Sequence, residues 1–184
     1  MSHYLESVKE FHETFNHPTE NEIKEDNLEL RRLRLSLIFE EMVELAHSMG
    51  CTKHLEKLCT EHSDGKHTWM FNGSSSSDTG YNKKETLDAL CDIQYVLSGA
   101  VLSLGYTNVF DQAFDKVHES NMSKMCENMD QVRDTIEYHK EKGESQHMNP
   151  VEKNGKYIVV REDGKIMKNK YYKPVDLKDM VEKN

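Results

Sequence analysis

Residues 39–45, FEEMVEL, place three glutamates where an amphipathic helix would carry leucines. At about 100° of rotation per residue, Glu40, Glu41 and Glu44 fall within roughly 100° of arc, which is the arc that Leu33 and Leu37 occupy on the preceding turns. A stripe of this kind normally packs inward, where ionised carboxylates without partners are strongly disfavoured. The stretch therefore predicts a helix whose packing face carries a site for cations.

A second predicted helix carries a matching set of acids. Glu85, Asp88 and Asp92 lie within about 60° of one another on a helix. If the two acidic faces meet, their shared negative charge requires bound cations, raised pKa values, or both. Ligand sets made of oxygen alone favour Mg²⁺, with Mn²⁺ as a substitute, over Zn²⁺.

The common alternative for a Glu-rich helix is a solvated face, on which each acid pairs with a Lys or Arg four residues away. Here the helical neighbours of the glutamates are Leu33, Leu37 and Ser48, and the arginines lie one or two turns towards the N-terminus. This spacing favours acids that point at another part of the protein.

Composition limits the class of protein. The 184 residues are 36% hydrophobic, which is enough for one substantial core with long polar excursions. The net charge of −9 argues against broad attraction to nucleic acids or membrane surfaces. The sequence shows no apolar run of membrane-spanning length, no secretory signal and no CxxC pair. We therefore expect a soluble, cytoplasmic protein.

Apolar periodicity predicts an all-α fold with a core of the four-helix-bundle type at residues 1–128. The predicted core helices span residues 2–15, 28–49, 83–104 and 108–124. The long polar loop between the second and third of them contains Trp69, for which we consider a cap over the core or a lid that stacks on a nucleobase.

Residues 129–184 form a C-terminal extension of different character. We predict a charged surface helix at 130–142 and a short β-hairpin that turns at Glu162-Asp163-Gly164. The extension is too small to fold alone and is expected to pack on the core or on a partner subunit.

Three segments carry a family resemblance: RLRLSLIFEEMVEL at 32–45, DALCDIQYVLSGAVLSLGY at 88–106 and VFDQAFDKVHESNMSK at 109–124. Together they resemble the MazG-like all-α nucleoside triphosphate pyrophosphohydrolases, in the branch related to phosphoribosyl-ATP pyrophosphohydrolase and the dUTPase-like members. The resemblance implies Mg²⁺-dependent hydrolysis between the α- and β-phosphates of a nucleotide. It releases a monophosphate and pyrophosphate, and a deoxynucleotide is the expected substrate.

The resemblance also implies a metal motif, EExxE followed by ExxD. Glu40, Glu41 and Glu44 match its first half, and Asp92 matches the closing aspartate. We predict these four residues as metal ligands, with Glu41 either binding metal or acting as the base that orients the attacking water.

The second half of the motif departs from the family, because Ala89 stands where the pattern has glutamate. Asp88 is predicted to substitute as an accessory metal ligand, since positions four apart share a helix face. Glu85 with Asp88 also spells ExxD, one turn displaced, so the choice between the two stays open.

By the same resemblance, Asn121 and Lys124 are predicted to contact a substrate phosphate, with simple helix capping as the alternative. Arg34, Lys168 and Tyr172 are further predicted substrate contacts. Two facing acidic helices with apolar flanks would leave a half-open bundle, so we expect a homodimer or homotetramer.

Two other functions are compatible with the residues. Glu44 with His47, and Asp115 with His118, have the Glu-x-x-His type of spacing by which helical bundles hold a di-iron carboxylate site. Alternatively, Ala89 favours a regulatory protein that binds a nucleotide without cleaving it.

Overall fold

The computed structural model describes residues 1–23, 27–61 and 80–182. These residues contain seven α-helices and one antiparallel β-hairpin. The helices are α1 (His3–Thr14), α2 (Leu28–Ser48), α3 (Thr52–Glu61), α4 (Lys83–Ser103), α5 (Phe110–Met122), α6 (Met129–Glu141) and α7 (Lys178–Val181). The hairpin joins β1 (Met148–Lys153) to β2 (Lys156–Arg161). The helix-rich fold with a short hairpin is thus confirmed.

Asparagine and glycine define the ends of several helices. The side chains of Asn27, Asn82 and Asn128 each accept a hydrogen bond from an amide in the first turn of α2, α4 and α6. Gly50 and Gly105 follow the ends of α2 and α4 with φ of 69° and 83°, a conformation that glycine adopts without a steric penalty.

The chain forms two compact units, Met1–Asn108 and Val109–Asn184. Helix α5 therefore belongs to the unit that contains the hairpin. The proposal that residues 1–128 and 129–184 are the domains stays a prediction. The Trp69 loop lies outside the described residues. No helix in the described ranges combines the length and apolar character needed to cross a membrane.

In the first unit, α2 and α4 pack antiparallel. At one end, the Thr86 hydroxyl donates to Ser48 Oγ at 3.1 Å, and at the other end Arg34 Nη2 donates to Ser103 Oγ at 2.5 Å. Helix α1 packs on α4 and buries Leu5 and Val8. These contacts fix the register of the two acidic helices.

In the second unit, the hairpin and α6 share a core of buried side chains. Its members are Cys126, Val132, Met148, Val159 and Met167. Apolar side chains of α6, of both strands and of the neighbouring loops thus pack together into one small core.

The predicted position of the hairpin turn was wrong. The strands connect through Asn154-Gly155, with φ of 53° and 76°. Two consecutive residues at positive φ form the two-residue turn whose twist matches that of paired strands. The chain does reverse after Arg161, but only a single bridge between Val160 and Ile166 follows, so no third strand forms.

Candidate functional site

Glu41 is the centre of the acidic face. It is half-buried, and its pKa is raised first by burial and then by the charges of Glu44, Asp92 and Glu40. Asp92 lies on α4 and the glutamates lie on α2, and these two helices pack against each other. The charge of Asp92 on one helix thus contributes to the raised pKa of Glu41 on the other.

The donor set of this face suits a hard cation. Glu40, Glu41, Glu44 and Asp92 offer carboxylate oxygen alone, and their mutual repulsion is relieved when a divalent cation lies among them. Among the described residues, no three Asp, Glu, His or Cys side chains converge closely enough to hold a metal ion as they stand. Side-chain rotation would be needed to form a coordination shell.

A cleft of about 700 Å³ lies beside this face, towards the C-terminal end of α2. Its lining includes Glu44, Glu85 and Asp88, so both candidates for the missing family glutamate line the same space. Ala89 also lines the cleft and is only 4% exposed. A longer acidic side chain at position 89 would start from a buried position, which gives a steric reason for alanine there.

Arg34 lies on the same side of α2 as Glu41, about two turns towards the N-terminus. Its side chain is 6% exposed, its Nε–H has no hydrogen-bond partner, and burial lowers its pKa. Its guanidinium faces Gly99 and the buried ring of His12: a Cβ at Gly99 would lie 3.1 Å from Arg34 Nη1 and 3.1 Å from His12 Nε2. In the described ranges, Arg34 bonds Ser103 and forms no ion pair.

His12 and Ser103 were missed by sequence reasoning. His12 Nδ1–H donates to the Pro18 carbonyl at 2.8 Å, and the Ser103 hydroxyl donates to the same oxygen at 3.0 Å. His12 thus ties the segment after α1 to α1 itself, and Ser103 ties the same segment to the end of α4. His12 follows Leu5 and Val8 at helical spacing, which could have marked it as buried, whereas the partner of Ser103 is a backbone oxygen 85 residues away.

The second unit brings together four of the predicted substrate contacts. Lys124 Nζ donates to Asn121 Oδ1 at 2.7 Å, and Lys168 Nζ lies 4.8 Å from the centroid of the Tyr172 ring. Ser120 connects the two pairs, because its Oγ lies 3.0 Å from the Tyr172 hydroxyl and it directly precedes Asn121. The end of α5 and the segment after β2 therefore form one lysine-rich surface, defined here by Asn121, Lys124, Lys168 and Tyr172.

The remaining predicted groups divide between the units. The five acids and Arg34 lie in the first unit, and the lysine-rich surface lies in the second. For the di-iron alternative, Glu44 and His47 lie in the first unit, and Asp115 and His118 lie in the second. The di-iron site thus stays a prediction, with no further support from the structure.

Comparison with known proteins gives two matches. The model of the phosphoribosyl-ATP pyrophosphohydrolase family matches residues 8–121. The chain is also similar to an uncharacterized protein of Acanthamoeba polyphaga mimivirus, with 38% identity over 78 residues that cover 39% of this chain and 31% of the viral protein. The matched part of this chain thus corresponds to about a third of that relative.

Proposed function

We propose that this chain, which belongs to the phosphoribosyl-ATP pyrophosphohydrolase family, hydrolyses a deoxynucleoside triphosphate between its α- and β-phosphates with Mg²⁺ as cofactor. The family supports a pyrophosphohydrolase type of activity. The observation that carries the finer proposal is the packing of α2, which holds Glu41, against α4, which holds Asp92; burial and neighbouring carboxylates raise the pKa of Glu41.

Glu40, Glu44 and Asp92 would hold the cation, with Asp88 as an accessory ligand. Mg²⁺, or Mn²⁺ in its place, would neutralise charge on the phosphate oxygens and lower the pKa of a bound water. Glu41 could join this shell, but its raised pKa also makes it a better base than an ordinary carboxylate.

In the proposed reaction, Glu41 orients a water and accepts its proton. The water oxygen bonds to the α-phosphorus while the bond from this phosphorus to the bridging oxygen breaks. The products are the nucleoside monophosphate and pyrophosphate. Positioning and charge neutralisation supply most of the rate of such transfers, so the proton acceptor has to be held in place. The packing of α2 against α4 holds Glu41 there.

The lysine-rich surface of the second unit carries positive charge. We propose that Lys124 and Lys168 bind phosphate oxygens as compact point charges and that Asn121 and Tyr172 add neutral contacts. In the described residues, neither lysine forms an ion pair, so both ammonium groups are available to an anion. Arg34 is a further proposed substrate contact. Because its side chain is buried and bonds Ser103, it would bind the substrate from beside that residue.

The test is a panel of nucleoside and deoxynucleoside triphosphates with Mg²⁺, in which monophosphate and pyrophosphate are quantified by ion-exchange chromatography. In H₂¹⁸O, attack at the α-phosphorus places the label in the monophosphate. We expect Glu41→Gln to lower kcat by about a thousandfold, as loss of a proton acceptor does. Glu29→Gln, in the first turn of the same helix, serves as the matched control and should retain wild-type activity.

A second candidate is a regulator that binds nucleotide without cleaving it. The separated acidic side chains favour it, because a metal shell is not already assembled among the described residues. Nucleotide binding without release of pyrophosphate, in wild-type protein with Mg²⁺ or Mn²⁺, would support the regulator and overturn the enzymatic proposal.

We also propose a homodimer or homotetramer in the cytoplasm. Several leucines of the paired helices are exposed in the single chain, among them Leu35 on α2 and Leu87 and Leu90 on α4. Covering them would remove apolar surface from water. Light scattering coupled to gel filtration measures the mass directly, and a monomer at micromolar concentration would contradict this assembly.

A further inference from the structure

Asn169 is the most highly bonded polar side chain of the second unit, although no motif singled it out. It is 5% exposed, and its Oδ1 accepts from the Thr135 hydroxyl at 3.2 Å and from the Tyr171 amide at 3.0 Å. Its Nδ2 donates to the Met125 carbonyl at 2.7 Å and to Gln131 Oε1 at 3.2 Å. A carboxamide has two donors and two acceptor positions, so this one is fully used.

Thr135, which is completely buried, extends this network to the neighbouring backbone. It donates to Asn169 and accepts from the Lys170 amide at 3.1 Å. On the other side of Asn169, His139 Nε2–H donates to the Lys168 carbonyl at 2.8 Å. The backbone is therefore fastened to α6 at Lys168 and Lys170, and the side chain of Asn169 between them also bonds that helix.

This anchoring separates two lysine and tyrosine pairs. Lys168 lies over the ring of Tyr172, whose hydroxyl lies beside Ser120 at the end of α5. Lys170 lies 6.0 Å from the ring of Tyr171, whose hydroxyl donates to Asp134 on α6 at 2.6 Å. Only the first pair thus belongs to the lysine-rich surface, and the second pair provides a matched control.

We propose that Asn169 is a positioning residue for the phosphate-binding lysine surface: it holds the 168–172 segment so that Lys168 and Tyr172 lie beside Asn121 and Lys124. The inference rests on the proposed function for the identity of the ligand, a polyphosphate anion. A charge that is fixed before the anion arrives loses less conformational entropy on binding, so the fastening increases affinity.

The decisive variant is Asn169→Asp, which keeps the shape but removes both donors that serve Met125 and Gln131. We expect the Kd for inorganic pyrophosphate, measured by calorimetry, and the KM for the nucleotide each to rise about tenfold, the loss expected for roughly one hydrogen bond. The value of kcat should stay within about twofold, since Asn169 is not proposed to touch the reacting atoms.

Thr135→Val provides a second, milder variant in case Asn169→Asp does not fold, because it removes one hydroxyl, which bonds Asn169, the Lys170 amide and, at 3.6 Å, Cys126 Sγ. Far-UV circular dichroism verifies the fold of each variant. Lys170→Met is the control for Lys168→Met. It should leave the Kd for pyrophosphate unchanged, whereas Lys168→Met should weaken binding.

A double-mutant cycle separates positioning from general loss of structure. If Asn169 acts through Lys168 and Tyr172, Asn169→Asp should change affinity less than about twofold in a background that already carries Lys168→Met and Tyr172→Phe. An equal penalty in both backgrounds, or unchanged affinity in the folded Asn169→Asp and Thr135→Val proteins, would overturn the positioning role.

The two proposals fail in different ways. If wild-type protein releases pyrophosphate from a nucleotide but Asn169→Asp behaves like wild type, the positioning role is wrong and the enzyme stands. If pyrophosphate binding depends on Asn169 but no nucleotide is cleaved, the positioning role stands and the proposed activity is wrong. Absence of both binding and cleavage in wild-type protein would overturn both.

Discussion

The two units differ in how their charged side chains are paired. In the first, neighbouring carboxylates add to the raised pKa of Glu41, and Arg34 is buried without an ion pair among the described residues. In the second, Arg161 donates through Nη1 to Glu144 at 2.7 Å and through Nε to Asp163 at 2.9 Å. These bonds lower the pKa of Glu144 and bring that of Asp163 to about 2.

We therefore expect the charged groups of the first unit to respond to a ligand, whereas the ion pairs of the second unit stabilise the fold. Charges that already have partners gain little from a ligand, whereas gathered like charges gain the full attraction of a counter-ion. The acidic face of the first unit is therefore the part of the molecule that a cation would change most. In the second unit these polar bonds hold the chain in place, and the lysine-rich surface is the part that we propose for an anion.

The largest effect on stability should come from a glycine of the first unit, tested against one of the second. Gly105 has a φ of +83°, and a Cβ there would lie 1.8 Å from the Glu22 carbonyl oxygen. Gly155 has a φ of +76°, but a Cβ there would meet nothing within 4 Å. We expect Gly105→Ala to lower the free energy of unfolding by more than about 3 kcal/mol, and Gly155→Ala by about 1 kcal/mol.

Denaturant unfolding followed by far-UV circular dichroism measures both variants. The shared positive φ makes Gly155→Ala the control for backbone strain, so the excess at Gly105 reports the contact with the segment after α1. Equal losses would mean that this segment moves aside easily and that its bonds to the end of α4 contribute little.

Gly105 and Gly155 also show which parts of the fold could be predicted from the sequence. The ends of α2 and α4 were predictable because Gly50, Gly105 and the capping asparagines are local signals. The hairpin was predicted, but its turn was assigned to the wrong glycine. Asn154-Gly155 is the stronger two-residue turn signal, but the strand before it, Met148–Lys153, has little of the apolar alternation typical of a strand.

Within the candidate site, periodicity predicted that two helices carry acids on their packing faces, and the metal site built from those acids stays a prediction. It could not find Asn169, Thr135 or Ser103, whose roles depend on backbone partners far away in the sequence. The lysine-rich surface was predicted through family resemblance alone, and residue spacing gave no reason to connect Lys124 with Lys168.

Replacing Arg34 or Arg161 by methionine should change stability less than Gly105→Ala does, and the two arginine variants should change it in opposite directions. Arg34→Met removes a buried charge while the Ser103 hydroxyl keeps its bond to Pro18, so we expect the free energy of unfolding to be unchanged or up to about 2 kcal/mol higher. Arg161→Met leaves Glu144 and Asp163 without their partner and should lower the melting temperature.

Thermal and denaturant unfolding measure the stability of both variants, and the nucleotide assay separates the roles of Arg34. If Arg34 contacts substrate as the family resemblance implies, Arg34→Met should raise KM although the protein is at least as stable. A strong loss of stability in Arg34→Met would instead show that the guanidinium has an anionic partner that stabilises the fold.

The smallest effect is a pH dependence that should differ in sign between the units. Because the folded pKa of Glu41 is raised above its usual value of 4.5, the folded state binds its proton more tightly, and stability falls as pH rises through that window. Asp163 and Glu144 have lowered pKa values, so their contribution to stability is present above their usual range and is lost as pH falls through it.

Hydrogen exchange, corrected for the intrinsic exchange rate, measures this difference. Without Mg²⁺, lowering the pH from about 7 to about 5 should increase the protection of α2 and α4. Strands β1 and β2 should lose protection only below about pH 4. Saturating Mg²⁺ should reverse the trend in α2 and α4, because the cation binds the deprotonated carboxylates. Equal pH profiles for the two regions, with and without Mg²⁺, would show that the acids of α2 and α4 neither repel one another nor bind the cation.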